Sequence, residues 1–130
     1  VRCGAPPGRL RTVLASSACG CVSATLWIDV SKKSGFDWDG ICWCGMCGSY
    51  KTRPEAYQGA TKLLELEPAE MLMVDCHNFD LNAALGCGYK TAFVKRPTEW
   101  GAEGPPDPVP NPAHTLVVDT FPELAERLGA

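Results

Sequence analysis

Several absences narrow what this chain can be. No apolar run approaches the roughly 20 residues that a membrane-spanning helix needs. No basic stripe exists to neutralise phosphates, and the net charge of -3 at pH 7 argues against a nucleic-acid or anionic-membrane partner. The opening, Val1-Arg2-Cys3-Gly4-Ala5-Pro6-Pro7, has no charged-then-apolar secretory pattern. An initiator methionine is also missing, which leads us to expect a processed or truncated chain. No internal repeat is visible. The expected location is cytoplasmic.

What is present is ordinary in bulk. A length of 130 residues allows one domain, which at this size buries roughly two thirds of its unfolded surface. Hydrophobic residues make up 45% and charged residues 21%, as in a soluble globular protein. Cysteine is the exception, with eight: Cys3, Cys19, Cys21, Cys42, Cys44, Cys47, Cys76 and Cys87. Disulfides, a metal site and free thiols are the three readings. Cys42, Cys44 and Cys47 with Cys19 and Cys21 offer zinc ligands in number, but structural zinc sites usually pair two Cys-x(2–4)-Cys knuckles, and Cys-x-Cys is not the common form. Cys76 and Cys87 lie in apolar, helix-like surroundings, where free cysteine behaves as a small hydrophobe. Reduced, structural thiols are the expectation.

Residues 1–22 read as a divergent or irregular segment, rich in Gly, Ser, Cys and Arg, with Val13-Leu14-Ala15 as a short candidate strand. A helix is expected over residues 23–34, stopped by Gly35. Ile41 to Met46 reads as a short strand. Pro54 suits a first helical turn, with Thr52 as its cap, and Ala56, Tyr57, Ala60, Leu63 and Leu64 recur at helical spacing over 54–65. Met71–Val74 is a wholly apolar run of the kind covered on both faces of a sheet. A helix over 77–85 stops at Gly86-Cys87-Gly88, and Lys90–Val94 is the next strand. Pro105, Pro106, Pro108, Pro110 and Pro112 exclude helix or central strand from 101–113. Thr115–Val118 is a further strand. Thr120 and Glu123 make a capping box for the last helix, which ends at Gly129. This alternation predicts βαβ units: an α/β fold with a Rossmann-like parallel sheet and flanking helices.

Chemistry concentrates where a strand ends. Asp75 follows the apolar run directly, and Asp80 lies about one helical turn on. In open α/β sheets, ligands collect at the carboxyl ends of strands. Lys51 precedes both and can balance their charge. Taken singly, each residue has a plainer reading, because lysines are usually solvated and an aspartate after a strand is often only a helix cap.

Order and spacing change that weighting. The segments Lys32-Lys33-Ser34-Gly35-Phe36-Asp37-Trp38-Asp39, Gly48-Ser49-Tyr50-Lys51-Thr52-Arg53-Pro54-Glu55-Ala56-Tyr57, Met73-Val74-Asp75-Cys76-His77-Asn78-Phe79-Asp80-Leu81 and Ala83-Ala84-Leu85-Gly86-Cys87-Gly88-Tyr89-Lys90-Thr91-Ala92-Phe93-Val94 follow one another. Arg96-Pro97-Thr98-Glu99 and Val117-Val118-Asp119-Thr120-Phe121-Pro122-Glu123-Leu124 continue the series. In this order they resemble the C-terminal part of a haloacid dehalogenase-like hydrolase, and above all the type II (S)-2-haloacid dehalogenases. The likeness covers residues 23–130.

The resemblance implies a hydrolase that works through an aspartyl ester on small (S)-2-haloacids. Lys51 would be the third-motif lysine, and Asp75 and Asp80 would belong to the fourth motif. His77, Asn78 and Phe79 would line the substrate pocket. Ser16 or Ser17 would serve as the anion-binding serine of the second motif. The expected partner is a small anionic substrate such as a 2-haloalkanoate, with a homodimer left open as the assembly. No cofactor is expected; the alternative is a phosphatase relative using Mg²⁺ at Asp75 and Asp80, since paired acids suit that ion. A catalytically inactive homologue is the other alternative.

The chain departs from the family pattern in three places. The first-motif strand, with its attacking aspartate, and the cap domain are absent from their expected positions. The second motif is poorly formed around Ser16-Ser17. Thr25-Leu26-Trp27-Ile28-Asp29-Val30 superficially resembles a nucleophile strand, but the family's Gly-Thr does not follow, and the ungapped match makes Asp29 a helix residue. In the resembled fold the nucleophile strand lies mid-sheet. Without it two strand edges stay unpaired, which predicts a marginal or self-associating chain unless residues 1–30 fill the gap.

Overall fold

The computed structural model describes residues 17–36 and 38–129, Ala18 by its backbone alone. The candidate strand at Val13–Ala15 lies outside the described residues. The first strand is β1 (Ser17–Gly20), inside the segment that reads as irregular. Helix α1 (Ala24–Ser34) follows, with Ser23 Oγ accepting from Leu26 N at 3.3 Å and Gly35 closing it at φ 68°. That left-handed conformation suits glycine, which has no Cβ to clash.

Strand β2 (Gly40–Trp43) is shorter than the expected Ile41–Met46, because the backbone turns at Cys44 into the single-turn helix α2 (Cys44–Cys47). Gly48, at φ 64°, ends that turn by donating its N–H to Cys44 O. Helix α3 (Pro54–Leu64) begins where expected, but its cap is Arg53 and not Thr52. Proline forces the residue before it into extended backbone, here φ -72° and ψ 139°, so the helix boundary falls immediately before Pro54. Gly59 lets α3 approach α2: a Cβ there would sit 2.7 Å from Cys47 Cβ.

The C-terminal part follows the expected order. Strand β3 (Leu72–Asp75) leads into α4 (Asn78–Gly86), then β4 (Lys90–Val94), β5 (Leu116–Val118) and α5 (Phe121–Leu128). Gly101–Glu103 forms one 3-10 turn within the stretch expected to hold no helix; it precedes the first proline, at Pro105, so nothing there forbids it. The capping box of α5 closes one residue early. Thr120 Oγ1 accepts from Glu123 N at 3.2 Å, but the Glu123 carboxylate accepts from Asp119 N at 2.9 Å.

All pairings are parallel. β3, β4 and β5 form one sheet, with Asp75 opposite Phe93, and β1 pairs with β2 in another. Among the described residues β1 and β3 do not pair, and a cavity of about 60 Å³ lies between them, lined by Cys19, Cys42, Tyr57, Met71 and Tyr89. The residues of β3 are half-buried and not fully covered as expected, since one edge of the strand has no partner there. The core forms two clusters. Ala92, Val94 and Val118 pack with Leu124, while Tyr57, Ala84 and Tyr89 form a second cluster. Leu81 is fully buried; a leucine so placed contributes roughly 1.5–3 kcal/mol relative to exposure. No helix among the described residues is long and apolar enough to cross a membrane.

Candidate active site

Three elements bring three charges together. β3 ends on Asp75, α4 carries Asp80 in its first turn, and the loop between α2 and α3 carries Lys51. Lys51 Nζ lies 2.7 Å from Asp80 Oδ2, with side-chain exposures of only 13% and 7%. The Tyr57 hydroxyl donates a short hydrogen bond to Asp80 Oδ1, and Tyr89 in turn donates to Tyr57 O at 2.8 Å. Asp80 therefore has both oxygens occupied, in the first turn of a helix whose dipole also favours an anion.

The charges follow from these contacts. Burial works against an ionised Asp80, but hydrogen bonds with Asp75 and Lys51, with the lysine charge, outweigh it and hold the group below the usual carboxylate range. Burial likewise disfavours charged Lys51, yet the bond to Asp80 raises its pKa. Asp75 moves the opposite way: burial, then its hydrogen bond with Asp80, pushes it up. Two adjacent carboxyl groups cannot both ionise cheaply, so the negative charge is favoured on Asp80 over Asp75.

Around this pair stands a second layer. Asp75 Oδ1 accepts from Cys76 N at 2.6 Å and lies 3.1 Å from His77 Nδ1. The His77 ring stacks on exposed Phe79 at 5.3 Å and meets Trp100 edge-on at 6.2 Å. His77 and Phe79 thus stack together beside the charges.

Asn78 is placed differently. Its side chain donates to Val109 O at 2.8 Å and Asp107 O at 3.3 Å, and accepts from Asn111 N at 3.0 Å. Accepting from Asn111 N identifies Oδ1, so the His114 Nε2 that lies 2.9 Å from it carries the proton. His114 Nδ1 then accepts from Thr91 Oγ1 at 3.0 Å. The amide is 3% exposed and fully engaged in holding the proline-rich loop. Burial lowers the His114 pKa, consistent with a neutral ring.

Ser17 is not brought to this cluster. It sits at the amino end of β1 and lines the cavity beside Met71 and Leu72, at the end of β3 away from Asp75. Ser16 lies outside the described residues. Asp29 is an exposed residue of helix α1, not the end of a strand. The cysteines of the candidate zinc module do not gather: Cys21 and Cys44 touch, Sγ to Sγ at 2.9 Å. Among the described residues, Asp75, Cys76 and His77 are one group with three close ligand atoms. The described cysteines are free thiols, and burial pushes Cys19 up to about 11.

Sequence reasoning missed Tyr57, Glu99 and His114. Tyr57 stands in a helical apolar stripe and at the end of the Lys51 segment of the resemblance, with nothing there that marks it as a partner of Asp80. Glu99 stands only in the Arg96-Pro97-Thr98-Glu99 segment of the resemblance, yet it lies 3.2 Å from His77 Nε2 and accepts from the Cys76 thiol at 2.9 Å. Burial and the bond to Glu99 push the Cys76 thiol up to about 12.

No protein-family model matches the chain, and no curated protein sequence matches it. Solved structures do. The L-2-haloacid dehalogenase PA0810 is 34% identical, with a TM-score of 0.83 over 86% of this chain and 49% of its own. The defluorinating L-2-haloacid dehalogenase Rha0230 is 33% identical, with a TM-score of 0.79 over 83% of this chain and 44% of its own. The L-2-haloacid dehalogenase from Xanthobacter autotrophicus, solved with chloropropionic acid covalently bound, is 19% identical with a TM-score of 0.68 over 83% of this chain and 52% of its own; at that identity it speaks to the fold alone. The chain thus spans about half the length of the dehalogenases it matches. With a third of its residues shared and the parallel α/β architecture in common, the chain belongs to the haloacid dehalogenase-like superfamily.

Proposed function

We propose that this chain supplies the charge-balancing part of the active site of a hydrolytic 2-haloacid dehalogenase. In that reaction an aspartate carboxylate attacks C2 of a small (S)-2-haloalkanoate, halide leaves, and water hydrolyses the resulting aspartyl ester. Lys51 holds the attacking carboxylate ionised and attracts the anionic substrate. Asp80 and Tyr57 fix the lysine in place, and His77 and Phe79 face the alkyl group. The attacking carboxylate comes from outside the described residues: Asp80 is locked by Lys51 and Tyr57, Asp75 Oδ1 is held by Cys76 N and faces His77, and Asp29 stands exposed on α1. The observation that carries this reading is the buried Lys51–Asp80 pair at the carboxyl end of β3, joined across 29 residues of sequence.

The Mg²⁺-dependent phosphatase alternative fits the donor set less well. A hard dication needs carboxylate oxygens, and those of Asp80 are already given to an ammonium and a phenol. Asp75 and Asp80 would be the residues to hold the ion, and it would balance the charge of a transferred phosphoryl group.

Halide release from (S)-2-chloropropionate tests the proposal. The folded chain alone should release none. A chimera of residues 17–130 with the N-terminal half of the PA0810 dehalogenase should release chloride, and Lys51→Ala in it should lower kcat/KM by at least about 100-fold. A folded chimera without activity would sink the dehalogenase reading. Chloride release by the chain alone would place a nucleophile inside it, with Asp29 the first residue to change. Phosphatase activity that requires Mg²⁺ would favour the alternative.

A further inference from the structure

Beside the charged pair, three metal-ligating atoms that the proposed reaction does not need together converge. Cys76 Sγ lies 2.9 Å from Glu99 Oε2 and 3.6 Å from His77 Nε2, and His77 Nε2 lies 3.2 Å from Glu99 Oε2. A tetrahedral zinc ion, with bonds of about 2.3 Å to sulfur and about 2.0–2.2 Å to nitrogen and oxygen, holds such atoms about 3.3–3.6 Å apart. Two edges of the triangle already fall near those spacings. The sulfur–oxygen edge is short by about 0.7 Å against that geometry. The Glu99 side chain, 27% exposed on the turn after β4, also lies 3.8 Å from Arg96 and would have to shift by that amount on binding.

The histidine is also pre-oriented. Asp75 Oδ1 stands 3.1 Å from His77 Nδ1, Phe79 stacks on the ring and Trp100 meets its edge, so Nε2 is the nitrogen turned toward Cys76 and Glu99. A carboxylate on the far nitrogen is the usual support of a metal-bound imidazole, since it selects the tautomer and raises ligand basicity.

We propose that Cys76, His77 and Glu99 form a binding site for a zinc-class divalent ion, with Asp75 orienting the His77 ring. On binding, the Cys76 thiol releases its proton to solvent and the thiolate takes one coordination position. His77 Nε2 and one Glu99 oxygen take two more, and water takes the fourth. A thiolate–imidazole–carboxylate set selects a zinc-like ion over Mg²⁺, which requires oxygen ligands. The site shares His77 with the dehalogenase reading, which sets that ring beside the substrate's alkyl group, but metal uptake and chloride release are read separately and either can fail alone.

Cobalt(II) provides a visible stand-in for zinc. The metal-free 130-residue chain, shown folded by far-UV circular dichroism, would be titrated with Co²⁺ and read by sulfur-to-cobalt charge-transfer absorption and tetrahedral visible bands. One equivalent should bind and be displaced by Zn²⁺. Cys76→Ser should abolish the charge-transfer band, while His77→Ala and Glu99→Gln should each weaken binding at least tenfold. Asp75→Asn should weaken it about 10–100-fold, as loss of an orienting partner does. Cys44→Ser should change nothing, which separates this site from the Cys21–Cys44 contact. No cobalt uptake by the folded chain, a band that survives Cys76→Ser, or a band lost in Cys44→Ser would overturn the proposal. If Cys76→Ser does not fold, unchanged affinity in the surface variant Glu99→Gln overturns it equally.

Discussion

Helix α5 buries Leu124 over Ala92, Val94 and Val118, which are at most 3% exposed, whereas helix α1, beside β1 and β2, buries no residue at all. Leu26, Ile28 and Val30 on α1 are 48%, 44% and 46% exposed, and among the described residues the buried Trp27 indole N–H has no hydrogen-bond partner. Both regions are parallel βα units with apolar side chains. They differ in whether a neighbouring layer covers those side chains. The contrast also divides the candidate site: Asp75 and Asp80 rest on the well-packed sheet, Lys51 reaches them from the α2–α3 loop, and Ser17 remains on the thinly covered side.

The largest effect should come from stranding a charge in the packed region. Asp80→Asn leaves Lys51 buried without its counter-ion and should cost about 3–5 kcal/mol in urea unfolding, as broken buried pairs do. Asp29→Asn, on exposed α1, should stay within about 0.5 kcal/mol. Equal costs would erase the distinction between the regions.

Core truncation comes next. Leu81→Ala should destabilise by about 2–5 kcal/mol, while Ile28→Ala should remain within about 0.5 kcal/mol. A large loss at Ile28 would mean that α1 packs against something the described residues do not include. Asn78→Ala strands the His114 and loop partners and should cost about 1–3 kcal/mol. Protease nicking near Val109 would rise with it.

The pH dependence separates the two aspartates. The folded-state pKa of Asp80 is depressed, so its stabilisation is present above the ordinary carboxylate pKa and is lost as pH falls through the folded value. Asp75 is raised, so its contribution is present below the ordinary value and is lost as pH rises through the folded one. The two oppose each other in wild type. Asp75→Asn should therefore steepen the gain of stability with pH on the acid side, measured by urea midpoints; a flatter profile would reverse the assignment. Lys51 is raised, so its contribution persists below its ordinary pKa and fades at more alkaline pH.

The smallest expected effect concerns the unpaired edges of β1 and β3. Association through them should make the melting temperature rise by a few degrees with protein concentration, by mass action. A sharp transition independent of concentration in a monomer would show that the edges are covered.

Much of the packed half was legible in the residues. β4 spans Lys90–Val94 as its apolar run indicated, Gly35 and Gly129 stop their helices, and Pro54 opens α3, because these signals act through local backbone geometry. The Lys51–Asp80 pair followed from motif order, not from local pattern, since nothing in a 29-residue separation specifies contact. What was not legible depended on distant partners. Asn78 was read as a pocket residue, but the loop carbonyls and His114 that engage it lie 29–36 residues away. Of Ser16 and Ser17, either of which the resemblance offers as an anion ligand, Ser17 stands opposite Gly40, at the amino end of β1.

The α/β class, the order of the elements and the set of chemically equipped side chains can be read along the chain, because dihedral preferences and hydrophobic periodicity are carried by neighbouring residues. Tertiary contacts settle on which carboxyl group the charge is favoured, which cysteine meets a histidine and a glutamate, and which helix buries no residue among those described. Those outcomes depend on burial and on distances of a few ångströms between residues far apart in sequence, and the free energy of a charge or a ligand atom changes steeply over that range.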